Sequence, residues 1–166
     1  MAESSRPRVG TQAPDFALES ATGQMVSLAD FRGRGAVVVF FYPRDDSPVC
    51  TAEACSFRDR YEDFRDAGAQ VIGISNDSNE SHRRFARRNR LPFLLLSDPD
   101  GAVRARYGAK TLGVFPGRTT FLIDKRGVVR HVFSSQLFFT RHVSEMLGVL
   151  QTMRAEDQSS QGDTIK

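Results

Sequence analysis

Ala36-Val-Val-Val-Phe-Phe-Tyr42-Pro43-Arg-Asp-Asp-Ser47-Pro48-Val-Cys50-Thr-Ala-Glu53-Ala-Cys55 is the stretch that decides the fold. Ala36 to Tyr42 is an unbroken run of β-branched and aromatic side chains, which predicts a strand buried on both faces. Pro43 ends it. Phe57, Tyr61 and Phe64 recur at spacings of four and three, which predicts a helix from Pro48 to about Ala67, stopped by Gly68. Cys50 then falls in the first turn of that helix. Open α/β sheets place their sites at the carboxyl ends of strands, so the loop between Tyr42 and Pro48 is where chemistry is expected.

The neighbouring elements follow from the same reading. Phe16 to Leu18 and Met25 to Leu28 flank Ala21-Thr-Gly-Gln24 and predict a short hairpin. Val71 to Ser75 is a second buried strand, and Asn79 to Asn89 a helix closed by Leu91-Pro92. Phe93 to Leu96 is a short strand, Asp100-Gly101 a turn, and Ala102 to Tyr107 a short helix. Thr119 to Asp124 and Val128 to Phe133 form strands around Lys125-Arg-Gly127. Arg141 to Met153 is the last helix, with Val143, Met146, Leu147 and Leu150 facing inward. Helices alternating with buried strands predict an α/β sheet covered on both faces. The closing hairpin and helix fit a thioredoxin-like fold, although periodicity alone reaches only the α/β class. One domain is expected over residues 9–153. A flexible start (1–8) precedes it and a polar, disordered tail (154–166) follows.

With 166 residues, 40% hydrophobic and 26% charged, the chain has the balance of a soluble globular domain with a sizeable core. No apolar run approaches the roughly 20 residues of a membrane span, so no membrane partner is expected. The start has no apolar h-region of a secretory signal, which makes a cytoplasmic protein the expectation. The net charge is +3, carried almost wholly by arginine; Lys110, Lys125 and Lys166 are the only lysines. Arg83, Arg84, Arg87, Arg88 and Arg90 form the densest basic cluster, and spacings of three and four place several of them on one side of the Asn79 helix, readable as a solvated face or as a dock for an acidic partner. A nucleic-acid partner would need aromatics or a known motif beside that charge, and neither is present.

Two cysteines in a chain of this length are no disulfide scaffold and point to redox chemistry, metal binding or inert thiols. At a helix start, unpaired N–H groups and the helix dipole favour a thiolate at Cys50 and can hold a polar oxygen. Ser47, three residues earlier, can donate its hydroxyl to the thiolate or a bound peroxide. Pro43 and Pro48 fix the loop on either side. On one α-helix the Cα atoms of Cys50 and Cys55 stand roughly 8.7 Å and about 140° apart. A disulfide needs less than about 7 Å, so the helix must partly unwind before the two can join.

Pro43-x-x-x-Ser47-x-x-Cys50 resembles the active-site signature of the peroxiredoxins. A second cysteine five residues on is similar to the peroxiredoxin Q subfamily, also called bacterioferritin comigratory protein. The resemblance extends through Phe57-Arg-Asp59, Val71-Ile-Gly-Ile-Ser75, Leu94-Leu-Leu-Ser-Asp98 and Pro116-Gly-Arg-Thr-Thr-Phe-Leu-Ile-Asp124, and so covers Val9 to about Leu150. It implies a thioredoxin-like fold with a central mixed sheet and an N-terminal β-hairpin. The activity it implies is an antioxidant thiol peroxidase acting on hydrogen peroxide and organic hydroperoxides. Cys50 would be the peroxidatic cysteine, oxidised to a sulfenic acid. Cys55 would resolve it as an intramolecular disulfide, and a thioredoxin-type dithiol would regenerate both. Arg118 would orient the thiolate and substrate. Glu53 reads either as a partner holding Arg118 or as a plain carboxylate near a helix N-terminus. Val49 departs from the subfamily, which commonly has Gly there, and bears on the shape of the pocket.

No cofactor or resident metal is expected, and an intramolecular resolving cysteine suggests a monomer. His82, His131 and His142 lie outside the motif, and Phe138-Phe139 reads as core packing before it reads as a substrate patch. The competing function is a thioredoxin-like metallochaperone holding copper with two cysteines and a distant histidine. A disulfide oxidoreductase lacks its Cys-x-x-Cys here, and a non-catalytic module on the same fold would have unreactive cysteines.

Overall fold

A computed structural model describes residues 6–111, 115, 116, 118–136 and 138–163. Its elements in chain order are β1 (Ala17–Glu19), β2 (Met25–Ser27), a 3-10 turn (Leu28–Phe31), β3 (Ala36–Phe41), α1 (Pro48–Asp59), α2 (Tyr61–Asp66), β4 (Ala69–Ser75), α3 (Asn79–Asn89), β5 (Leu94–Ser97), α4 (Ala102–Arg106), β6 (Lys110–Thr111), β7 (Phe115–Pro116), β8 (Thr119–Ile123), β9 (Val129–Ser134) and α5 (Phe139–Asp163). Five strands form the central sheet in the order β5-β4-β3-β8-β9. β3 pairs parallel with β4, β4 parallel with β5, and β8 runs antiparallel to both β3 and β9. The sheet is therefore mixed. β1 and β2 form the expected N-terminal hairpin, and β6 and β7 a second small one that the sequence pattern did not announce.

β3 lies at the centre because each of its residues is buried. Alternation sends Val38, Phe40 and Tyr42 to one face, where Phe57 of α1, Phe64 of α2, Phe85 of α3 and Met146 of α5 cover them. Phe40 stacks on Phe57 with centroids 4.5 Å apart. Val37, Val39 and Phe41 face the opposite side, closed by Phe16, Val26 and Leu28 from the N-terminal segment and by Val103 and Tyr107 around α4. Both faces are covered, as expected, with the longer helices on one side. That bias seats α1 directly over β3, with its first turn at the strand's carboxyl end.

The helix expected over residues 48–67 is broken. Arg60 leaves helical geometry at φ −110° and ψ 14°, and α2 starts afresh with Glu62 and Asp63 in its first turn, where the helix end favours acids. No Gly or Pro marks this break. The disordered tail expected from residue 154 is also corrected: α5 continues to Asp163. Arg154 bonds the Asp66 carbonyl at 2.8 Å, and Glu156 pairs with Arg130 at 3.1 Å, so the first of the extra turns is tied to the body of the protein. Residues 1–5 and 164–166 of the two expected flexible ends lie outside the described residues. Arg6 reaches the Gly108 carbonyl. Among the described residues no helix is long and apolar enough to cross a membrane.

Gly73 in β4 marks where the core is tightest. A β-carbon there would stand 2.8 Å from Phe40 Cζ and 2.8 Å from Leu95 Cδ2. Gly73→Ala is expected to lower stability by about 1–3 kcal/mol through overpacking, read as a lower urea midpoint with an unchanged m value.

Candidate active site

The loop between β3 and α1 is fixed before it reaches Cys50. Tyr42 N–H continues the ladder to the Ile74 carbonyl, and its hydroxyl donates to Asp45 Oδ1 at 2.6 Å. Asp45 Oδ2 meets His82 Nδ1 at 2.8 Å and accepts from Ser81 Oγ at 2.8 Å, which ties the loop to α3. Asp45 N–H donates to Asp77 Oδ2 at 2.7 Å. Burial, with Asp45 adding to it, pushes the Tyr42 phenol well above its ordinary value, so it remains a donor. Asp46 follows at a φ of 62°, a left-handed conformation that Asp tolerates, and accepts from Arg88 at 3.2 Å.

Ser47 then caps α1. Its Oγ accepts from the Cys50 N–H at 3.3 Å and donates to the Arg44 carbonyl at 3.5 Å. The hydroxyl expected to donate to sulfur or peroxide is thus engaged by the backbone. Pro48 occupies the first turn, where a missing N–H costs nothing. Pro43 is half-buried ahead of the loop. Cys50 is 1% exposed, and Val49 beside it is 39% exposed.

Arg118 comes from the start of β8, next to β3, and is 3% exposed. Its Nη2 donates to Cys50 Sγ at 3.3 Å and its Nη1 to Glu53 Oε1 at 3.1 Å. Burial works against the charge of Arg118, but Glu53 and Cys50 outweigh it and raise the guanidinium above its ordinary value. The two readings of Glu53 are thereby decided at the level of contact: it is the partner of Arg118. Burial pushes the Glu53 carboxyl up to about 8, against the downward pull of Arg118. Its Oε2 has no hydrogen-bond partner and stands 3.5 Å from His142 Nε2.

His142 is a member of the site that the sequence did not reveal. Its Nε2 donates to the Ser135 carbonyl at 2.9 Å, and Nδ1 meets Thr120 Oγ1 at 2.8 Å. Burial depresses it to about 4, so the ring is neutral at physiological pH. Arg104 was missed as well. It is buried beneath the end of β3, bonds the Tyr42 carbonyl, and lies 5.7 Å over the Phe41 ring. Neither has a local sequence signal, because their partners are far along the chain.

Cys55 lies on the same unbroken helix as Cys50, and both are free thiols. It is half-buried, and its Sγ donates to Asn89 Oδ1 of α3 at 3.8 Å. Phe138, expected to pack in the core, is 58% exposed, with the Arg141 guanidinium 5.9 Å over its ring. Among the described residues the only group of histidine, cysteine and acidic residues compact enough to hold a metal is Asp45, Asp77 and His82. It includes neither cysteine, so the geometry gives the copper reading no ligand set. A cleft lined by Arg34, Gly68, Arg126 and Met153 lies at the opposite end of β3 from Cys50.

Residues 9–132 match the model of the AhpC/TSA family. The chain is 47% identical over 147 residues to the chloroplastic peroxiredoxin Q of Sedum lineare, covering 87% of this chain and 78% of that one. It is 47% identical over 146 residues to the chloroplastic peroxiredoxin Q of Oryza sativa subsp. japonica, covering 87% and 67%. Among solved structures it resembles peroxidoxin BcpB from Mycobacterium tuberculosis, with a TM-score of 0.83, 36% identity, and coverage of 89% of this chain and 98% of that one. A mutant of Xanthomonas campestris peroxiredoxin Q superposes with a TM-score of 0.77 at 28% identity, covering 83% and 91%. The cytoplasmic location expected from the sequence does not survive this comparison, since both plant relatives are chloroplastic.

The raised carboxyl of Glu53 has a consequence for stability. A carboxyl lifted from 4.5 to about 8 on folding stabilises fully below pH 4.5, and that contribution is lost as pH rises toward 8. His142, depressed from 6.5 to about 4, acts with opposite sign and only below pH 6.5. Between about pH 6.5 and 8 the reduced wild type is therefore expected to lose stability in urea denaturation, and Glu53→Gln to lose less. A slope unchanged in Glu53→Gln would contradict the neutral carboxyl.

Proposed function

The chain belongs to the AhpC/TSA family, in its peroxiredoxin Q group, and is a thiol peroxidase; from that premise we propose that Cys50 is the peroxidatic cysteine and Cys55 the resolving one. The observation that carries this is the 3.3 Å hydrogen bond from Arg118 to the Cys50 sulfur at a capped helix start.

The hydroperoxide enters with its O–O bond in line with Cys50 Sγ. The thiolate attacks the terminal oxygen, the O–O bond breaks, and the departing oxygen takes a proton to leave as water or alcohol. Cys50 is left as a sulfenic acid. Arg118 stabilises negative charge on sulfur before attack and on the leaving oxygen during it. Glu53 Oε1 fixes the position of Nη1, which leaves Nη2 aimed at the sulfur. Ser47 and Pro48 hold the first turn. Pro43, half-buried ahead of the loop, fixes the backbone that leads into it. Val49, exposed and apolar beside Cys50, suits organic hydroperoxides as well as hydrogen peroxide.

Resolution follows when the Cys55 thiol condenses with the Cys50 sulfenic acid, forming the disulfide and releasing water. A thioredoxin-type dithiol returns both to thiols. Since both cysteines belong to one helix, the cycle needs no second subunit, and we infer a monomer whose catalytic domain is residues 9–153.

Stopped-flow consumption of hydrogen peroxide tests the assignment. Cys50→Ser is expected to abolish the reaction. Cys55→Ser is expected to react once and then fail to turn over with thioredoxin. Arg118→Met is expected to lose roughly a hundredfold in the attack step, the scale of one removed charge-stabilising donor. Full activity in Cys50→Ser would overturn the reading.

A further inference from the structure

We propose that the arginine face of α3 is the docking surface for a dithiol reductant whose surface around its own active thiols is acidic. This rests on the peroxidase reading and adds where, and by what chemistry, the reductant binds.

Helical spacing puts Arg83, Arg84, Arg87 and Arg88 on the outer side of α3, Arg90 follows as its left-handed C-cap, and all five are exposed. His82 and Phe85 hold the other side in the core. Internal acids neutralise little of this charge. Arg84 pairs with Glu80 at 3.5 Å and Arg88 with Asp46 at 3.2 Å, both among largely exposed side chains. Arg83 reaches only the Ala21 carbonyl. Arg87 and Arg90 have no acidic partner among the described residues.

The position of this charge ties it to the chemistry. Asn89, next to Arg88, accepts the hydrogen bond from Cys55 Sγ. Its carbonyl accepts from Arg58 Nη1 of α1 at 2.7 Å. Arg88 itself reaches Asp46 in the loop that leads to Cys50. The basic surface therefore borders both the resolving cysteine and the catalytic loop. Joining Cys50 to Cys55 requires α1 to loosen. α3 carries no cysteine and is anchored by buried Phe85 and by His82, so it stays fixed while its neighbour moves. A reductant that must find a disulfide in a moving segment needs a fixed surface alongside it, and unlike charges steer its approach.

The exchange balances without a further reagent. A partner thiolate attacks one sulfur of the disulfide, forming a mixed disulfide and releasing the other cysteine as a thiolate. The partner's second thiol then attacks the mixed bond. The peroxidase gains two electrons and two protons as two thiols, and the partner leaves as a disulfide.

The test is steady-state peroxide turnover supported either by a thioredoxin with an acidic active-site rim or by dithiothreitol, which is too small to use the surface. The variants are Arg84→Glu/Arg87→Glu/Arg88→Glu and the charge-preserving Arg84→Lys/Arg87→Lys/Arg88→Lys. The expected result is that kcat/KM for thioredoxin, relative to the dithiothreitol rate, falls about tenfold or more in the glutamate variant and is largely retained in the lysine variant. In wild type the same ratio is expected to fall as salt rises from about 20 to about 300 mM. A ratio unchanged by charge reversal, or both reductants failing by the same factor, would overturn the docking role. So would salt-sensitive retention of duplex DNA by wild type with no change in that ratio, which would assign the face to nucleic acid. No turnover of wild type with dithiothreitol would instead sink the peroxidase reading on which this one stands.

Discussion

The 3.3 Å hydrogen bond from Arg118 to the Cys50 sulfur brings a cation and a nucleophile together where water is excluded. Such a pair is costly to bury unless every other group around it is arranged to accept the charge. The sheet does that arranging. β3 and β8 are hydrogen-bonded neighbours, so the strand that leads into Cys50 and the strand that begins beside Arg118 are held in register. Glu53 and His142 complete the enclosure. Burial disfavours the charged forms of both, pushing the Glu53 carboxyl up and the His142 ring down, so Arg118 is the lasting charge beside the Cys50 sulfur.

The same geometry sets a conflict that the catalytic cycle must resolve. Attack needs the first turn of α1 intact, since its Ser47 cap and the contact to Arg118 both depend on it. Resolution needs that helix opened, since two cysteines five residues apart on a helix cannot be bridged. In the reduced protein Cys55 is turned toward Asn89 of α3. α3 thus holds the loop before α1 through His82 and Arg88, and α1 itself through Asn89 at Cys55. The stability of α1 against this hold is part of the mechanism and not only of the fold.

Most of the architecture was legible in the chain because it is written in local patterns. The apolar run of β3, the helical spacing of α3 and the turn after Ile123 each carry their own signal. The break at Arg60 and the extension of α5 to Asp163 were not legible, because neither is marked by Gly or Pro where the pattern changes. Within the site, Cys50, Cys55, Ser47 and Pro43 could be read because they form one contiguous motif, and Arg118 because its flanking residues resemble a family. His142 and Arg104 could not. Their roles come from meeting Glu53 and the end of β3 across the fold, and periodicity tells which face is buried, not which distant polar groups will share it.

Amide hydrogen exchange across residues 48–58, compared between the reduced and the disulfide form, reports whether α1 opens to let Cys50 and Cys55 join. Slow exchange is expected in the reduced protein, where the capped helix packs on the core, and loss of protection by about tenfold or more in the oxidised one. Equal protection in the two redox states would contradict that opening, because Cys50 and Cys55 would then have joined without the helix between them opening.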